Sequence, residues 1–204
     1  SELKVSQICL GTMTMGVQND REQSYDIMEY AFNNGINFFD TAEQYPSPSS
    51  KELYGTTEKI IGEWVTKTKN RKDIVLATKI SGPGVPWIRG GGLQYDILNI
   101  KKAVNDSLKR LNTDYIDLYQ LHWPERFFQN FAFDDKIKLT ENYNKLESIL
   151  RTFQDLIKEG KIRYIGLSND DLSGLKGYVD LINKNNFPEI TSIQNRYNLL
   201  FRNY

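Results

Sequence analysis

The chain has 204 residues, 39% of them apolar and 25% charged, enough for one domain with a sizeable core. Lys plus Arg and Asp plus Glu number 26 each, so the formal net charge is zero and no basic run argues for nucleic acid or an anionic membrane. No apolar run reaches the roughly 18 residues of a spanning helix, no signal peptide opens the chain, and the single cysteine, Cys9, has no partner for an internal disulfide.

Cys9 sits in an apolar, strand-like context and reads as a buried, inert thiol, which fits a reducing compartment, the cytoplasm. Val5 to Leu10 is the first predicted strand, closed by Gly11. Asp20 with Gln23 resembles a capping box. Ser24, Ile27, Met28 and Ala31 follow with the spacing of an amphipathic helix that Gly35 ends. Ile36 to Phe39 is a second strand, reaching Asp40. A polar, Pro- and Ser-rich loop from Tyr45 to Gly55 leads into a helix marked by Ile60, Ile61, Trp64 and Val65. Ile74 to Thr78 is the third strand and ends at Lys79.

Residues 81–92 form a breaker-rich loop, read as a mobile cover for the rim. Its contiguous glycines, Gly90 to Gly92, lack the spacing of a phosphate-cradling turn. Ile97, Ile100, Val104, Leu108 and Leu111 mark the third helix, and Tyr115 to Leu121 the fourth strand, which ends at His122. A second long loop, Pro124 to Leu139, carries Phe127, Phe128, Phe131 and Phe133. Tyr143, Leu146, Leu150, Phe153 and Ile157 mark a fourth helix ended by Gly160. Arg163 to Leu167 is the fifth strand, ending at Ser168 and Asn169. Leu172, Leu175, Val179 and Ile182 mark the fifth helix, and Ile190 to Ile193 the sixth strand, ending at Gln194.

Short apolar strands alternating with amphipathic helices imply a parallel sheet with right-handed crossovers, either a TIM barrel or a doubly wound sheet. The first strand-to-helix junction, Gly11 to Gly16, lacks a dinucleotide fingerprint, and polar residues recur where strand after strand ends. Both facts favour the α/β TIM (β/α)8 barrel, of which residues 1–204 hold the first six strands as one incomplete domain.

Asp40, with Tyr45 five residues on, Lys79 and His122 fall at three successive strand ends, so parallel neighbours bring them to one rim. A strand-end Asp alone is more often a turn former, a Lys there is usually solvated, and a lone His is usually structural. Their joint placement is what argues for proton transfer. A lysine cation beside a tyrosine favours phenolate and is expected to make Tyr45 a better proton donor. Asp40 is the expected partner of Lys79. His122 is placed to hydrogen-bond a substrate oxygen that gains negative charge.

Asp40-Thr41-Ala42-Glu43-Gln44-Tyr45, residues 77–82, the long fourth-strand segment 107–124 and residues 160–169 resemble the aldo-keto reductases, and among them the bacterial Tas-like branch. The resemblance covers essentially the whole chain. It implies a (β/α)8 barrel that binds NADPH and reduces an aldehyde or ketone. Trp87, Phe127, Phe128 and Phe131 on the two long loops read either as an apolar pocket for small aromatic or aliphatic carbonyls or as residues that pack the loops together. In that family's terms Tyr45 matches the general acid, Lys79 the residue that tunes it, Asp40 the acid paired with that lysine, and His122 the residue that orients the carbonyl. Ser168, Asn169 and Gln194 match positions that hold the nicotinamide carboxamide. A cofactor-binding regulatory subunit like the potassium-channel β subunits is the alternative the resemblance leaves open, and a shortened product with only a binding role is a third. The family places its nicotinamide-stacking aromatic and its pyrophosphate and 2′-phosphate groups on strands seven and eight and the helix beyond. The natural protein is therefore expected to continue for about one-third of a barrel. Six strands alone are expected to leave two open sheet edges.

Overall fold

Six strands pair in parallel in chain order and curl into part of an α/β barrel: β1 (Cys9–Gly11), β2 (Phe38–Asp40), β3 (Val75–Ile80), β4 (Ile116–Leu121), β5 (Ile162–Ser168) and β6 (Ile190–Gln194). Five helices alternate with them: α1 (Arg21–Asn33), α2 (Thr56–Thr68), α3 (Ile97–Leu111), α4 (Tyr143–Lys158) and α5 (Leu172–Asn185). The structure is a computed structural model that describes residues 2–82, 84–91, 95–124 and 143–202.

Local chemistry sets the helix ends. The Asp20 carboxylate accepts from the Gln23 N–H at 2.9 Å while the Gln23 side chain accepts from the Asp20 N–H at 3.0 Å, closing the predicted capping box. Asp96 and Asp171 cap α3 and α5 in the simpler way, each accepting from the backbone three residues on. Asn112 and Asn186 end those helices in the left-handed conformation that asparagine tolerates. No side chain caps α2. It starts at Gly55, where φ is +78° and a Cβ would lie 2.6 Å from the Arg110 side chain.

Side chains alternate across the strands, so one sheet face meets the helices and the other faces the arc's interior. The helix side is the apolar core: Phe39, Leu76, Ile80, Tyr119, Leu121 and Ile165 pack against Trp64, Val104, Phe153 and Leu181. Trp64 stacks on Phe39 with centroids 5.5 Å apart, and Phe153 meets Tyr119 edge-on at 6.2 Å. The interior face carries the polar groups described below.

Three expectations are corrected. The first strand covers only Cys9–Gly11, because β2 offers it partners from Phe38 to Asp40 alone; Val5 and Ile8 are left exposed. Cys9 is exposed rather than buried, since β1 has a neighbour on one side only. On α5 the buried positions are Gly177, Tyr178, Leu181 and Ile182, so Leu172 and Val179 face outward. The small Gly177 is what lets α5 approach Leu146. Ile8, just before β1, and Ile193 in β6 are exposed. Among the described residues no helix is long and apolar enough to cross a membrane.

Gly62 tests the α2–α3 contact. A Cβ there would stand 2.4 Å from the Arg110 carbonyl oxygen and 2.6 Å from the Leu111 carbonyl carbon, which are backbone atoms with little room to yield. Gly62→Ala is expected to lower unfolding stability in urea by about 2–3 kcal/mol despite the better helix propensity of alanine. An unchanged or raised midpoint would show that the two helices slide apart at no cost.

Candidate active site

The interior face of β2 and β3 holds a buried ion pair. Lys79, 1% exposed, donates to Asp40 Oδ2 at 2.6 Å and to the Thr41 carbonyl at 2.8 Å. Lys79 lies within β3, one residue before its end, so it is more enclosed than a strand-end lysine would be. A buried cation needs such partners, because an isolated ammonium in a dry interior is costly. Asp40 is held in turn by the backbone: its carbonyl accepts from the Thr12 N–H at 3.0 Å and the Thr12 hydroxyl at 2.8 Å.

Past Asp40 the chain stays tied to its neighbour strand. The Thr41 N–H donates to the Ala77 carbonyl at 2.9 Å and the Glu43 N–H to the Lys79 carbonyl at 3.2 Å. This carries Tyr45 back over the rim, where its carbonyl accepts from the Gly55 N–H at 2.9 Å. The Tyr45 hydroxyl lies 3.4 Å from His122 Nε2, and the two rings meet edge-on at 84°. Lys79 Nζ stands 5.3 Å from the centre of the Tyr45 ring, within reach of a cation–π contact. Asp40, Tyr45, Lys79 and His122, named from the sequence, thus form one cluster.

Burial, and then the Asp40 carboxylate, raise the Tyr45 phenol well above its ordinary value of 10. Lys79, expected to favour the phenolate, has its ammonium paired with the Asp40 carboxylate. Burial, and then the Lys79 cation, hold the His122 imidazole well below 6.5, so it is neutral near pH 7. Among the described residues, His122 Nδ1 has no hydrogen-bond partner.

Ser168, Asn169 and Gln194 come together beside this cluster. Ser168 pairs with Gln194 in the β5–β6 register, and the Asn169 side chain donates to the Ser168 hydroxyl at 3.2 Å and to the His122 carbonyl at 2.9 Å. Asn169 takes a left-handed φ of +54°, which turns the chain as β5 ends. Gln194 Nε2 donates to Asp40 Oδ2 at 3.2 Å, which joins this second group to the first. The loop with Phe127, Phe128, Phe131 and Phe133 lies outside the described residues. Trp87 is half-buried.

The sequence reading passed over several residues that build the site. Gln120, on the interior face of β4, donates to Asp40 Oδ1 at 3.2 Å. Glu43 is fully buried on the helix side. It accepts from the Ser81 N–H at 2.5 Å and from both terminal nitrogens of Arg89, with Arg110 3.9 Å away. Arg110 Nε in turn donates to Glu58 at 2.5 Å, and the Thr78 hydroxyl donates to the other Glu58 oxygen at 2.7 Å. The rim segments 40–45 and 78–81 are therefore pinned from both faces. Gly82 packs so closely on Trp123 that a Cβ would sit 2.4 Å from its ring, so the loop expected to be a mobile cover is docked where it leaves β3. The one available signal was charge: Glu43 and Glu58 are acids among residues whose pattern reads as buried.

The model of the aldo/keto reductase family matches residues 7–204. Protein tas of Escherichia coli is 40% identical over 211 residues, covering 100% of this chain and 60% of the relative. The oxidoreductase YrpG of Bacillus subtilis is 34% identical over 98% of this chain and 56% of its own length. The solved structure of the aldo-keto reductase AKR11C1 from Bacillus halodurans, in its holo form, superposes with a TM-score of 0.71 at 32% identity, over 97% of this chain and 55% of that one. The chain thus spans about 60% of the tas length.

The neutral, buried His122 has a measurable consequence. In the unfolded chain its pKa is near 6.5, whereas folded it lies well below. Between the two values the unfolded state binds a proton that the folded state refuses, so stability is lost as pH falls. From about pH 7.5 to about pH 5, the unfolding free energy of the wild type should fall relative to a His122→Asn variant by up to about 2 kcal/mol. Parallel losses in both proteins would show that the ring protonates as readily folded as unfolded.

Proposed function

We propose that this chain, which belongs to the aldo/keto reductase family, is the catalytic part of a reductase that uses NADPH to reduce a small aldehyde or ketone, with Tyr45 as the general acid. The observation that carries this reading is the convergence of the Tyr45 hydroxyl and His122 Nε2, 3.4 Å apart, in front of a buried Lys79–Asp40 pair. Two hydrogen-bonding groups side by side at a buried rim suit one acceptor oxygen that gains negative charge.

The residues present fit a nicotinamide carboxamide, which needs both a donor and an acceptor. The Ser168 hydroxyl accepts from Asn169 and, among the described residues, its own proton has no acceptor; the amides of Asn169 and Gln194 offer both kinds of group. NADPH, when bound, would supply the hydride that the carbonyl carbon takes. The protein residues do the rest. His122, neutral, carries one ring N–H and on Nε2 would orient the carbonyl oxygen. Tyr45 keeps its proton at rest, because burial and Asp40 disfavour the phenolate. It gives that proton up when the substrate oxygen becomes more basic than the phenolate it leaves behind. Lys79, on the tyrosine ring and locked to Asp40, would stabilise the phenolate as it forms. The single cysteine is the support for a reducing, cytoplasmic setting.

Assayed in the whole protein with NADPH and a panel of aryl and alkyl aldehydes, Tyr45→Phe is expected to lower kcat by about a thousandfold or more. NADPH affinity, read from nicotinamide fluorescence, should stay within about twofold, since among the described residues the lost hydroxyl hydrogen-bonds only to His122. Turnover that survives the substitution would remove Tyr45 from the acid role. Lys79→Met should also slow reduction and alter its pH profile. Because it strands the Asp40 carboxylate, it should cost about 3–5 kcal/mol of stability as well. A Lys79→Met protein as stable as wild type would mean that the carboxylate finds another partner.

A further inference from the structure

Gln120 has no role in the chemistry above, yet it is 2% exposed and sits between the two halves of the site. Its Nε2 donates to Asp40 Oδ1 at 3.2 Å and lies 3.4 Å from Gln194 Oε1, while Gln194 Nε2 donates to Asp40 Oδ2 at 3.2 Å. The three side chains close a ring around one carboxylate. Lys79 and Gln194 both serve Oδ2, so among the described residues Gln120 supplies the only side-chain donor to Oδ1. A buried carboxylate oxygen left without a donor is expensive, so this hydrogen bond has an energetic reason to persist.

The neighbouring strand is shaped to admit this amide. Gly166 is the register partner of Gln120 on β4 and of Ser192 on β6. A Cβ at Gly166 would stand 2.6 Å from Ser192 Oγ and 3.3 Å from Gln120 Cγ. A side chain there would push Gln120 off its present path. Gln194, by contrast, lies at the end of β6, and among the described residues its side-chain hydrogen bonds run to Asp40 and Gln120.

We propose that Gln120 is a positioning residue that locks Gln194 to Asp40, so that the group holding the cofactor and the group donating the proton keep one fixed geometry. This rests on the reductase reading of the same site. Glutamine suits the task because one NH₂ serves two acceptors at once. A leucine would fill the volume and leave both acceptors unserved. A glutamate would bring a second carboxylate to hydrogen-bond distance from Asp40 when ionised, and would regain one donor when protonated.

The test compares wild type, Gln120→Leu and Gln120→Glu in the whole protein, reading NADPH affinity by fluorescence and steady-state kinetics across pH. Gln120→Leu is expected to weaken NADPH about fivefold and lower kcat about tenfold, with KM for the carbonyl within about twofold. Gln120→Glu should show the same losses above neutral pH and recover toward wild type as pH falls, which a purely structural defect would not do. Unchanged NADPH affinity and kcat in Gln120→Leu would overturn the proposal, as would losses in Gln120→Glu that do not vary with pH. If wild type binds NADPH but reduces no carbonyl, the reductase reading fails. The NADPH titrations then decide alone: weaker binding with the same pH-dependent recovery supports the lock, and equal affinities overturn it. If wild type does not bind NADPH, both readings fall.

Discussion

The burial of Lys79 is the constraint from which the rest of the site follows. An ammonium group in a dry interior persists only with an opposite charge and hydrogen-bond acceptors in reach, and β2 provides both in successive residues, Asp40 and Thr41. That requirement fixes the register of β2 on β3 at the rim, where Asp40 pairs with Ala77. It also fills the pair's surroundings with polar groups, because Asp40 has a second oxygen to satisfy. Gln120 and Gln194 reach in from β4 and β6, two strands that touch neither β2 nor each other. One carboxylate thus gathers residues from four strands.

A second buried charge cluster stands behind the first, on the helix side of the same strands. Glu43 and Glu58 are fully buried, with Arg89 and Arg110 between them. Alternation along the chain explains how both exist. Thr78 turns to Glu58 and the helices, and its neighbour Lys79 turns to the interior. Likewise Glu43 points away from the site in a stretch whose ends, Asp40 and Tyr45, point into it. Breaking either cluster would leave a buried charge unpaired, so each resists movement of the rim that the other also holds. This is how a loop residue such as Tyr45 comes to be placed as firmly as one on a strand.

Much of the architecture was legible in the sequence because it rests on local signals. The capping box at Asp20 and Gln23, the helical spacing of Ile100, Val104 and Leu111, and the strand that ends before His122 depend only on nearby residues. Asp40, Lys79 and His122 could be placed on one rim because parallel neighbours align their ends. What escaped was set by distance. Gln120 meets Gln194 across 74 positions of sequence, and nothing near either residue marks the contact. The length of β1 depended on how few residues β2 offers it, and the exposure of Cys9 on its having one neighbour. How strongly burial holds the proton on the Tyr45 phenol escaped too, since spacing does not specify how deeply a loop side chain is buried.

That last point bears on how such a site would work. A phenol whose proton affinity fell all the way to neutral pH would rest partly as phenolate, and a phenolate cannot act as an acid. Here the resting balance runs the other way: burial and Asp40 keep the proton on Tyr45, while Lys79 is held against the ring by its own partner. Under the proposed mechanism, the cation's stabilisation of the phenolate would be realised mainly as negative charge develops on the ring, when the proton leaves. An interaction that is weak in the ground state and strong in the transition state is the kind that raises a rate rather than merely tightening binding. On this reading Asp40 would do more than neutralise Lys79: it would fix the lysine's position beside the tyrosine, with Gln120 and Gln194 holding the carboxylate in turn.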